Sequence, residues 1–401
     1  MGNTNASDTP THGRYAQEQA ADGLSRRAFL GATAGLAGLA TLGIARGRAL
    51  AAGSAGSDGK DAASSSAADA KAGSSARDAS RTLTSTSGKT LKVICTSESY
   101  KDLFAKFTDE VGAPVEFISM SSGEALSKLK AEGGTPDADL WFGGGIDSFM
   151  SAKDSGLLEQ VNFDAAADFA EGFKDPDNYW FSKGVTVVGF IANRDILDEI
   201  GAEVPRAWTD LTDESYRDEV LMSSPAISGT NYAVVAALLQ SMGDDAGWDY
   251  FSALNENIPF YTKRGSDPST RVSTGEAAVG ITYIDNTLDD ILADGTLEIV
   301  YPSDGMPYIP DGVAVFKNAD DVDDAKLFVE WLFSSDENML ALAAIDKKST
   351  MLLCKPNIEG LTLDFDKSQL LDEDLSQFGT RREEILAKWE EVTSGKETLD
   401  S

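Results

Sequence analysis

Histidine is nearly missing from this sequence of 401 residues, and the one histidine, His12, lies close to the amino terminus. The rest of the chain therefore has no residue for a Ser-His-Asp or Cys-His nucleophile, a histidine general base or a histidine metal site. A hydrolase that uses paired carboxylates needs no histidine, but no acidic pair is marked out by its spacing. The sequence predicts no catalytic residue, no metal site and no cofactor.

Cysteine is also scarce, and the two cysteines are Cys95 and Cys354. They are too far apart in sequence for a CxxC redox or zinc motif. We expect both to be buried free thiols, and a disulfide between them is the less favoured alternative, since the chain is expected to fold in a reducing compartment before export.

Basic residues are few, because 34 lysines and arginines stand against 66 aspartates and glutamates and the net charge is −32. Proteins that bind nucleic acid need lysines and arginines to neutralise phosphates. The composition therefore argues against a nucleic-acid partner. A strongly acidic surface is well solvated and resists association, so we expect a monomer.

A long hydrophobic run is missing as well. The mildly apolar run at residues 31–45 is shorter than the roughly 20 residues that span a bilayer. It follows Ser25-Arg26-Arg27-Ala28-Phe29-Leu30 and precedes Ala49-Leu50-Ala51, which is typical of a twin-arginine export signal. We predict a signal peptide at residues 1–51, recognised by the twin-arginine export machinery, with an uncleaved membrane tether as the alternative. Residues 52–90 have little to bury and are predicted to be a disordered linker.

The pattern from residue 91 to residue 145 is strand, helix, strand, helix, strand. Apolar strands at residues 92–96, 115–117 and 138–142 are separated by segments with helical periodicity. Ser121 and Glu124 predict a capping box at the start of the second helix. Strands separated by single helices form parallel sheets with helices on both faces. Such α/β sheets bind ligands beyond the carboxyl ends of their strands.

The remaining chain predicts a second lobe. Residues 184–193 form a long apolar strand that can cross between lobes, and residues 312–316 form a strand that returns. We assign residues 91–185 and 310–401 to lobe 1 and residues 186–309 to lobe 2. Two lobes that exchange strands and share one cleft close on a ligand by a hinge motion.

Four segments carry a resemblance to a known family. They are LKVICTSESYKDLFAKF, EFISMSSGEALSKLKAEGGTPDADLWFGGG, AWTDLTDESYRDEVLMSSPAISGT and TRVSTGEAAVGITY. In this order they resemble the ferric-type extracytoplasmic solute-binding proteins of ABC importers. The resemblance implies a type II periplasmic-binding-protein fold, no catalysis, an extracytoplasmic location and a permease as partner. Members of this family bind ferric ion, phosphorylated sugars, phosphonates, thiamine or polyamines.

The resemblance also implies ligand-binding residues on both walls of the cleft. Those on the first wall are Ser97, Ser121, Ser122, Gly123 and Gly144. Those on the second wall are Ser228, Gly229, Thr230, Lys263, Ser266, Tyr283 and Asp285, with Asp304 near the return to the hinge.

Two departures from the family pattern bear on the ligand. Ferric members carry adjacent tyrosines where this chain has Tyr283 followed by Ile284, and phosphorylated-sugar relatives carry an Asp-His-Asp-like run where it has Ile284-Asp285-Asn286. Small-residue helix starts near Ser121 and Ser228 favour an anion.

Three hypotheses about function therefore stay open. The first is a phosphorylated or anionic small molecule as ligand, and the second is iron(III) or a cation such as thiamine or a polyamine. A cation would contact Trp141, Trp180, Tyr283 or Tyr308, with Asp285 and Asp304 as counter-charges. The third, from another class, is a secreted carboxylate-dependent enzyme.

Overall fold

The computed structural model describes residues 83–284, 288, 292, 295–363, 366–394 and 396–399. The predicted leader, most of the predicted linker and the predicted site residue Asp285 lie outside the described residues. No helix within the described ranges is long and apolar enough to cross a membrane.

The first part of the described chain forms the predicted parallel sheet. Strand β1 (Leu91–Cys95) pairs in parallel with β2 (Val115–Ser119) on one side and with β3 (Leu140–Gly145) on the other. Helix α1 (Lys101–Val111) connects β1 to β2, and α2 (Ser122–Ala131) connects β2 to β3. Because parallel strands end at the same edge of a sheet, the polar turns after β1, β2 and β3 come together there.

Two long strands connect this sheet to the rest of the molecule. The first half of β5 (Phe181–Asn193) pairs with β10 (Tyr308–Phe316), which also pairs with β3. The second half of β5 pairs with β8 (Val279–Tyr283) and β9 (Leu297–Val300). One continuous strand therefore belongs to both lobes, as the apolar run at residues 184–193 predicts.

The second lobe has its own α/β layer. Strand β6 (Val220–Ser223) lies between β8 and β7 (Tyr261–Thr262), parallel to both. Its helices are α4 (Arg194–Ile200), α5 (Gly229–Met242), α6 (Asp244–Asn255) and α7 (Asp267–Ser273). The other elements of the described chain are α3 (Ile146–Asp154), β4 (Leu158–Glu159), α8 (Val322–Phe333), α9 (Asp336–Asp346), α10 (Met351–Cys354), α11 (Ser376–Thr380), α12 (Arg382–Val392) and β11 (Thr398–Leu399).

Aromatic side chains pack in the interior of both lobes. In lobe 1, Phe104 and Phe107 of α1 pack edge-on against Phe142 and Phe328, with ring centroids 5.7 and 4.9 Å apart. In lobe 2, the ring centroid of Phe190 of β5 lies 4.7 Å from that of Trp208. All these side chains are buried, and truncating one such phenylalanine to alanine typically costs about 3–5 kcal/mol.

The apolar stretch at residues 258–262 forms a strand only in part. Only the last two residues of that stretch pair as β7. The amides of Asn257 and Ile258 donate to the carbonyls of Leu254 and Asn255. These bonds continue the end of α6 as a tight turn, so the apolar Ile258 fills the core from a turn rather than from a strand.

Both ends of the described chain make contacts that the predicted lobe boundaries do not include. The last residues of the predicted linker contact lobe 1, since Ser85 Oγ donates to Asp324 Oδ2 at 2.6 Å. At the other end, β11 pairs with β7, and Trp389 of α12 packs against Phe251 of α6. The segment after residue 381 thus contacts lobe 2, whereas the sequence prediction joins all of residues 310–401 to lobe 1.

Candidate functional site

A cavity of about 230 Å³ lies between the two lobes, at the edge where the strands of both lobes end. Hydroxyl groups and glycines dominate its walls. The lining residues are Thr96, Ser97, Ser99, Tyr100, Ser121, Ser122, Gly144, Gly145, Thr186, Ser228, Gly229, Thr230, Arg264, Gly265, Ser266, Tyr283, Asp311, Ile345, Asp346 and Lys348.

The lobe 1 wall is built around the amino terminus of α2. The Ser121 amide donates to Glu124 Oε2 at 2.9 Å, which is one half of the predicted capping box and fixes the first turn of the helix. Ser122 is the first helical residue and is 2% exposed. Its hydroxyl oxygen is buried and has no hydrogen-bond partner among the described residues.

The turn after β3 completes this wall because it consists of glycine. Gly144 has φ of +98°, and a Cβ atom there would lie 2.7 Å from the Cβ of Ser122. A larger residue would be strained in this backbone conformation and would collide with α2. The Gly143-Gly144-Gly145 run therefore lets backbone amides approach the start of α2 closely.

The lobe 2 wall is built around the amino terminus of α5. Ser228 is the N-cap residue, and its side chain accepts a hydrogen bond from the Asn231 amide at 3.4 Å. Gly229 follows, and a Cβ atom at this position would lie 2.8 Å from the nitrogen of Gly145. The first turns of α2 and α5 thus meet across the cleft, at the ends of the helices where backbone N–H groups have no partner within the helix.

Direct contacts hold the two walls together. The Gly123 amide donates to the Ile227 carbonyl at 3.0 Å across the cleft. The Arg264 guanidinium lines the cavity and donates to the Oγ and the carbonyl of Ser119, at the end of β2, at 3.2 and 3.3 Å. The lobes are therefore in a closed arrangement, which a ligand in the cavity would also favour.

The floor of the cavity contains a buried charge cluster. Lys183 of β5 is 1% exposed, and its Nζ donates to Asp346 Oδ2 at 2.8 Å. Asp311 of β10 accepts from the Thr186 hydroxyl at 2.8 Å and from Lys348 Nζ at 3.2 Å, both at Oδ2. We call Lys183, Asp311, Asp346 and Lys348, together with Thr186, the floor cluster.

Opposite charges favour the ionised forms of Lys183 and Asp346. Burial lowers the pKa of Lys183, but attraction to Asp346 and Asp311 outweighs burial and raises it above its ordinary value. Burial raises the pKa of Asp346, but Lys183 and Lys348 outweigh burial and hold it below its ordinary value. Burial also raises the pKa of Tyr100, whose ring lies 4.9 Å from Lys183 Nζ, so the phenol stays neutral.

Most of the predicted site residues line the cavity. These are Ser97, Ser121, Ser122, Gly144, Ser228, Gly229, Thr230, Ser266 and Tyr283. Among the described residues, three predicted positions do not line it. Gly123 makes the interlobe hydrogen bond. The neighbour of Lys263, Arg264, lines the cavity in its place. Asp304 accepts a hydrogen bond from the Trp208 amide at 3.0 Å.

Several lining residues are absent from the sequence prediction. Thr96 and Ser99 belong to the polar turn after β1, and Arg264 is the second of two adjacent cations. The sequence marks both the turn and the cation pair, so these residues could have been predicted. Asp311 lies next to Pro310 in β10, where both residue types argue against a strand. Asp346 is the last residue of α9 and Lys348 follows the helix, and both reach the cavity only through the tertiary fold.

The cavity shows little that would hold a metal or an organic cation. Within the described ranges, no group of three or more His, Cys, Asp or Glu side chains is arranged to hold a metal ion. Of the four aromatic residues considered for a cation, Tyr283 lines the cavity. Trp141 instead stacks on Phe149 in the core, with ring centroids 4.0 Å apart.

Both cysteines are free and buried, as expected. The Cys95 thiol donates to the Ser97 carbonyl at 3.2 Å, and burial raises its pKa to about 11. Burial likewise raises the pKa of Cys354. Neither thiol is therefore activated as a nucleophile at neutral pH.

Comparisons with known proteins identify the family. Residues 136–352 match the family model described as bacterial extracellular solute-binding protein. An uncharacterized protein of Haemophilus influenzae is 32% identical over 292 residues, which cover 71% of this chain and 84% of that protein. A probable ABC transporter periplasmic-binding protein of Sinorhizobium fredii, y4fP, is 26% identical over 248 residues, which cover 58% of this chain and 66% of that protein.

A solved structure shares the fold. It is the periplasmic binding protein AfuA from Actinobacillus pleuropneumoniae with exogenous fructose-6-phosphate bound. The two chains are 29% identical and superpose with a TM-score of 0.69, and the match covers 77% of this chain and 100% of that chain. The two-lobed α/β fold, the interlobe cavity and these similarities together establish that the chain belongs to the bacterial extracellular solute-binding proteins, which serve ABC importers.

Proposed function

We propose that the interlobe cavity binds a small phosphorylated, or otherwise anionic, solute and that the protein delivers it to the permease of an ABC importer. One observation carries this proposal. The buried Ser122 hydroxyl, without a hydrogen-bond partner among the described residues, lies between the amino termini of α2 and α5. A buried hydroxyl without a partner costs free energy, and an anionic ligand would give it one.

The physical chemistry of this end of the cavity favours an anion. Helix amino termini present N–H groups and the positive end of the helix dipole. Arg264 adds a full positive charge on the lobe 2 wall. The net charge of −32 does not oppose such a ligand, because charges farther away than about 10 Å are largely screened at 0.1 M salt.

The size of the cavity limits the solute to a small molecule. A cavity volume of about 230 Å³ is below the range of about 300–1,000 Å³ that is typical of pockets for drug-sized ligands. The bound fructose-6-phosphate named for the AfuA structure supports a ligand of this class. We assign ligand contacts to the predicted residues that line the cavity, together with Arg264.

We infer that this protein binds its solute without converting it. The proteins that it resembles are binding proteins, and the carboxylates of the floor cluster are engaged by lysines and a threonine. Turnover of a sugar phosphate or a phosphonate by the purified chain would contradict this inference.

We also propose that residues 1–51 direct export by the twin-arginine machinery. Two buried free thiols are compatible with folding in a reducing compartment before export. Replacing Arg26 and Arg27 with lysine should block export, which fractionation and amino-terminal sequencing of the exported protein would measure. Export of the double variant at the normal level would contradict the proposal.

Thermal unfolding of the full chain tests the ligand class. The panel contains sugar phosphates, phosphonates, ferric citrate, thiamine and polyamines. A ligand at about 100 times its Kd adds about 2.7 kcal/mol of stability, and for a chain of this size we expect a rise of roughly 3–5 °C in Tm. Sugar phosphates or phosphonates should raise Tm, and ferric citrate, thiamine and polyamines should not. A rise with ferric ion or a polyamine alone would overturn the proposed ligand and leave the transport role intact.

A further inference from the structure

The floor cluster lies in the same cavity as the proposed anion site but has a different chemical character. Within the described part of the chain, the side-chain contacts of Asp311 are made through Oδ2, with Thr186, Lys348 and, at 4.0 Å, Lys183. Its second oxygen, Oδ1, accepts no hydrogen bond from the described residues, although the residue is 7% exposed and lines the cavity. A carboxylate oxygen in this position can accept a hydrogen bond from a ligand in the cavity.

The charges of the floor cluster balance. Two lysines, Lys183 and Lys348, face two aspartates, Asp311 and Asp346, and all four are mostly buried. A ligand ammonium placed here would lose its hydration and meet no net negative charge. A second anion would likewise meet no net positive charge. An uncharged hydroxyl can donate to Asp311 Oδ1 at a much smaller cost in hydration.

We propose that the floor cluster is a second subsite that binds an uncharged, hydroxyl-bearing part of the solute, and that Lys183 acts as a positioning residue which keeps this subsite electrically neutral. The inference rests on the proposed function, because it places the anionic group of the same solute between the amino termini of α2 and α5. It narrows the substrate class to molecules with one anionic end and one neutral polyhydroxylated end.

Lys183 is suited to this role because it does not itself line the cavity. It lies behind Asp346 and Asp311, and its Nζ is 4.9 and 5.6 Å from the ring centroids of Tyr100 and Phe142. Removing its charge would leave the floor with a net charge of −1. Removing the charge of Asp346 would leave it with a net charge of +1. These two changes should therefore alter ligand preference in opposite directions.

Three phosphonates that differ in one group test the inference on the full chain. Methylphosphonate fills the anion site alone, 2-hydroxyethylphosphonate adds a hydroxyl, and 2-aminoethylphosphonate adds an ammonium group of similar size. We expect the wild-type protein to bind the hydroxyethyl compound more tightly than the other two in calorimetric titrations. The ratio of the Kd values for the hydroxyethyl and aminoethyl compounds is the readout. Lys183→Met should change this ratio at least tenfold in favour of the aminoethyl compound, and Asp346→Asn should change it in favour of the hydroxyethyl compound.

A matched control separates charge balance from a general loss of packing. Lys355 is also 1% exposed, and it lies near Asp168 and Asp336, away from the cavity lining. Lys355→Met should leave the ratio of the two Kd values unchanged. If Lys183→Met does not fold, the change in this ratio caused by Asp346→Asn decides whether the charge balance of the floor cluster sets the ligand preference.

The two proposals fail in different ways. Binding of methylphosphonate with unchanged ratios in the floor variants would overturn the second subsite and leave the anion site standing. Failure of the wild-type protein to bind any of the three phosphonates or a sugar phosphate would overturn the proposed function and this inference with it.

Discussion

Ser122 places a buried hydroxyl between the two helix amino termini of the closed cleft. If this hydroxyl binds the anion, Ser122→Ala removes one hydrogen bond to a charged group, worth about 1.5–3 kcal/mol. We expect affinity for a sugar phosphate to fall roughly 10- to 150-fold. The Tm without ligand should not fall, because no hydrogen bond within the protein is lost.

Calorimetry and thermal unfolding measure both quantities. The control is Ser127→Ala on the same helix, because Ser127 Oγ donates to the Gly123 carbonyl at 2.8 Å and does not line the cavity. Equal losses of affinity in the two variants would contradict a specific role for Ser122.

Glu373 provides a pH-dependent test of stability. Its Oε1 accepts from the Tyr308 amide at 3.0 Å, while Oε2 is buried without a partner among the described residues. Burial raises its pKa well above the ordinary value. The folded state therefore keeps this proton to a higher pH than the unfolded state, and stability is lost as pH rises above the unfolded pKa of about 4.3.

Glu373→Gln removes this penalty and can keep the hydrogen bond from Tyr308. We expect the variant to have a higher Tm than the wild type at pH 7.5 and a difference that shrinks toward pH 4. The exposed Glu390, on α12, is the control for glutamine substitution. A stabilisation independent of pH would show that the carboxyl is not the cause.

At the residue scale, the sequence predicts small and hydroxyl-bearing positions better than charged ones. Ser122 and Gly229 follow from helix-start patterns, since local chemistry determines caps. The charged groups depend on tertiary structure. Arg264 and Lys263 are adjacent in sequence, and the direction of the turn after β7 decides which one lines the cavity. Asp311 was missed because Pro310 precedes it and neither residue favours a strand.

At the scale of elements, the cleft depends on how closely α5 approaches the turn after β3. Gly229→Ala would place a Cβ 2.8 Å from the Gly145 nitrogen. Overpacking of this kind costs about 1–3 kcal/mol, and opening of the lobes would relieve it. We therefore expect a roughly 5- to 150-fold loss of ligand affinity with little change in Tm when no ligand is present.

Gly184→Ala is the matched control for this variant. Gly184 lies on β5, and a Cβ atom there would make only ordinary van der Waals contacts, the nearest atom being 3.8 Å away. Titration of both variants with a sugar phosphate measures the effect. Full affinity in Gly229→Ala would show that closure at this contact is not needed for binding.

The start of α12 provides a second test at this scale. Arg382 Nε donates to Asp147 Oδ2 of α3 at 2.8 Å, both residues are buried, and the Arg382 guanidinium lies 5.6 Å from the ring centroid of Tyr232 in α5. Arg382→Met leaves a buried carboxylate unpaired, which typically costs about 3–5 kcal/mol. Arg382→Met with Asp147→Asn should recover part of this loss.

Thermal unfolding of the single and double variants measures this coupling. Lys388→Met on the same helix removes an exposed pair with Glu391 and should cost less than about 1 kcal/mol. Equal losses in the Lys388 and Arg382 variants would contradict a structural role for the buried pair.

The elements themselves were largely predictable. The alternation from β1 to β3, the crossing strand β5 and the start of α5 follow from hydrophobic periodicity and cap residues. The contacts of α12 and β11 with lobe 2 were not, because an amphipathic helix shows which of its faces is buried but not which lobe covers it.

At the scale of the whole molecule, β5 and β10 connect the two lobes, and the closed cleft encloses a cavity of about 230 Å³. A cleft lined by helix amino termini, Arg264 and a neutral floor should select an anionic group on an otherwise uncharged solute. This selection is the central claim, and it depends on the arrangement of both lobes rather than on any one residue.

Calorimetric titration of the full chain with fructose 6-phosphate and with fructose tests this claim most directly. We predict binding of the phosphate ester with one molecule per chain, no measurable binding of fructose at the same concentrations, and weaker binding of the ester by Arg264→Met. Equal binding of both sugars, or saturation by ferric citrate without any binding of the phosphate ester, would contradict the account.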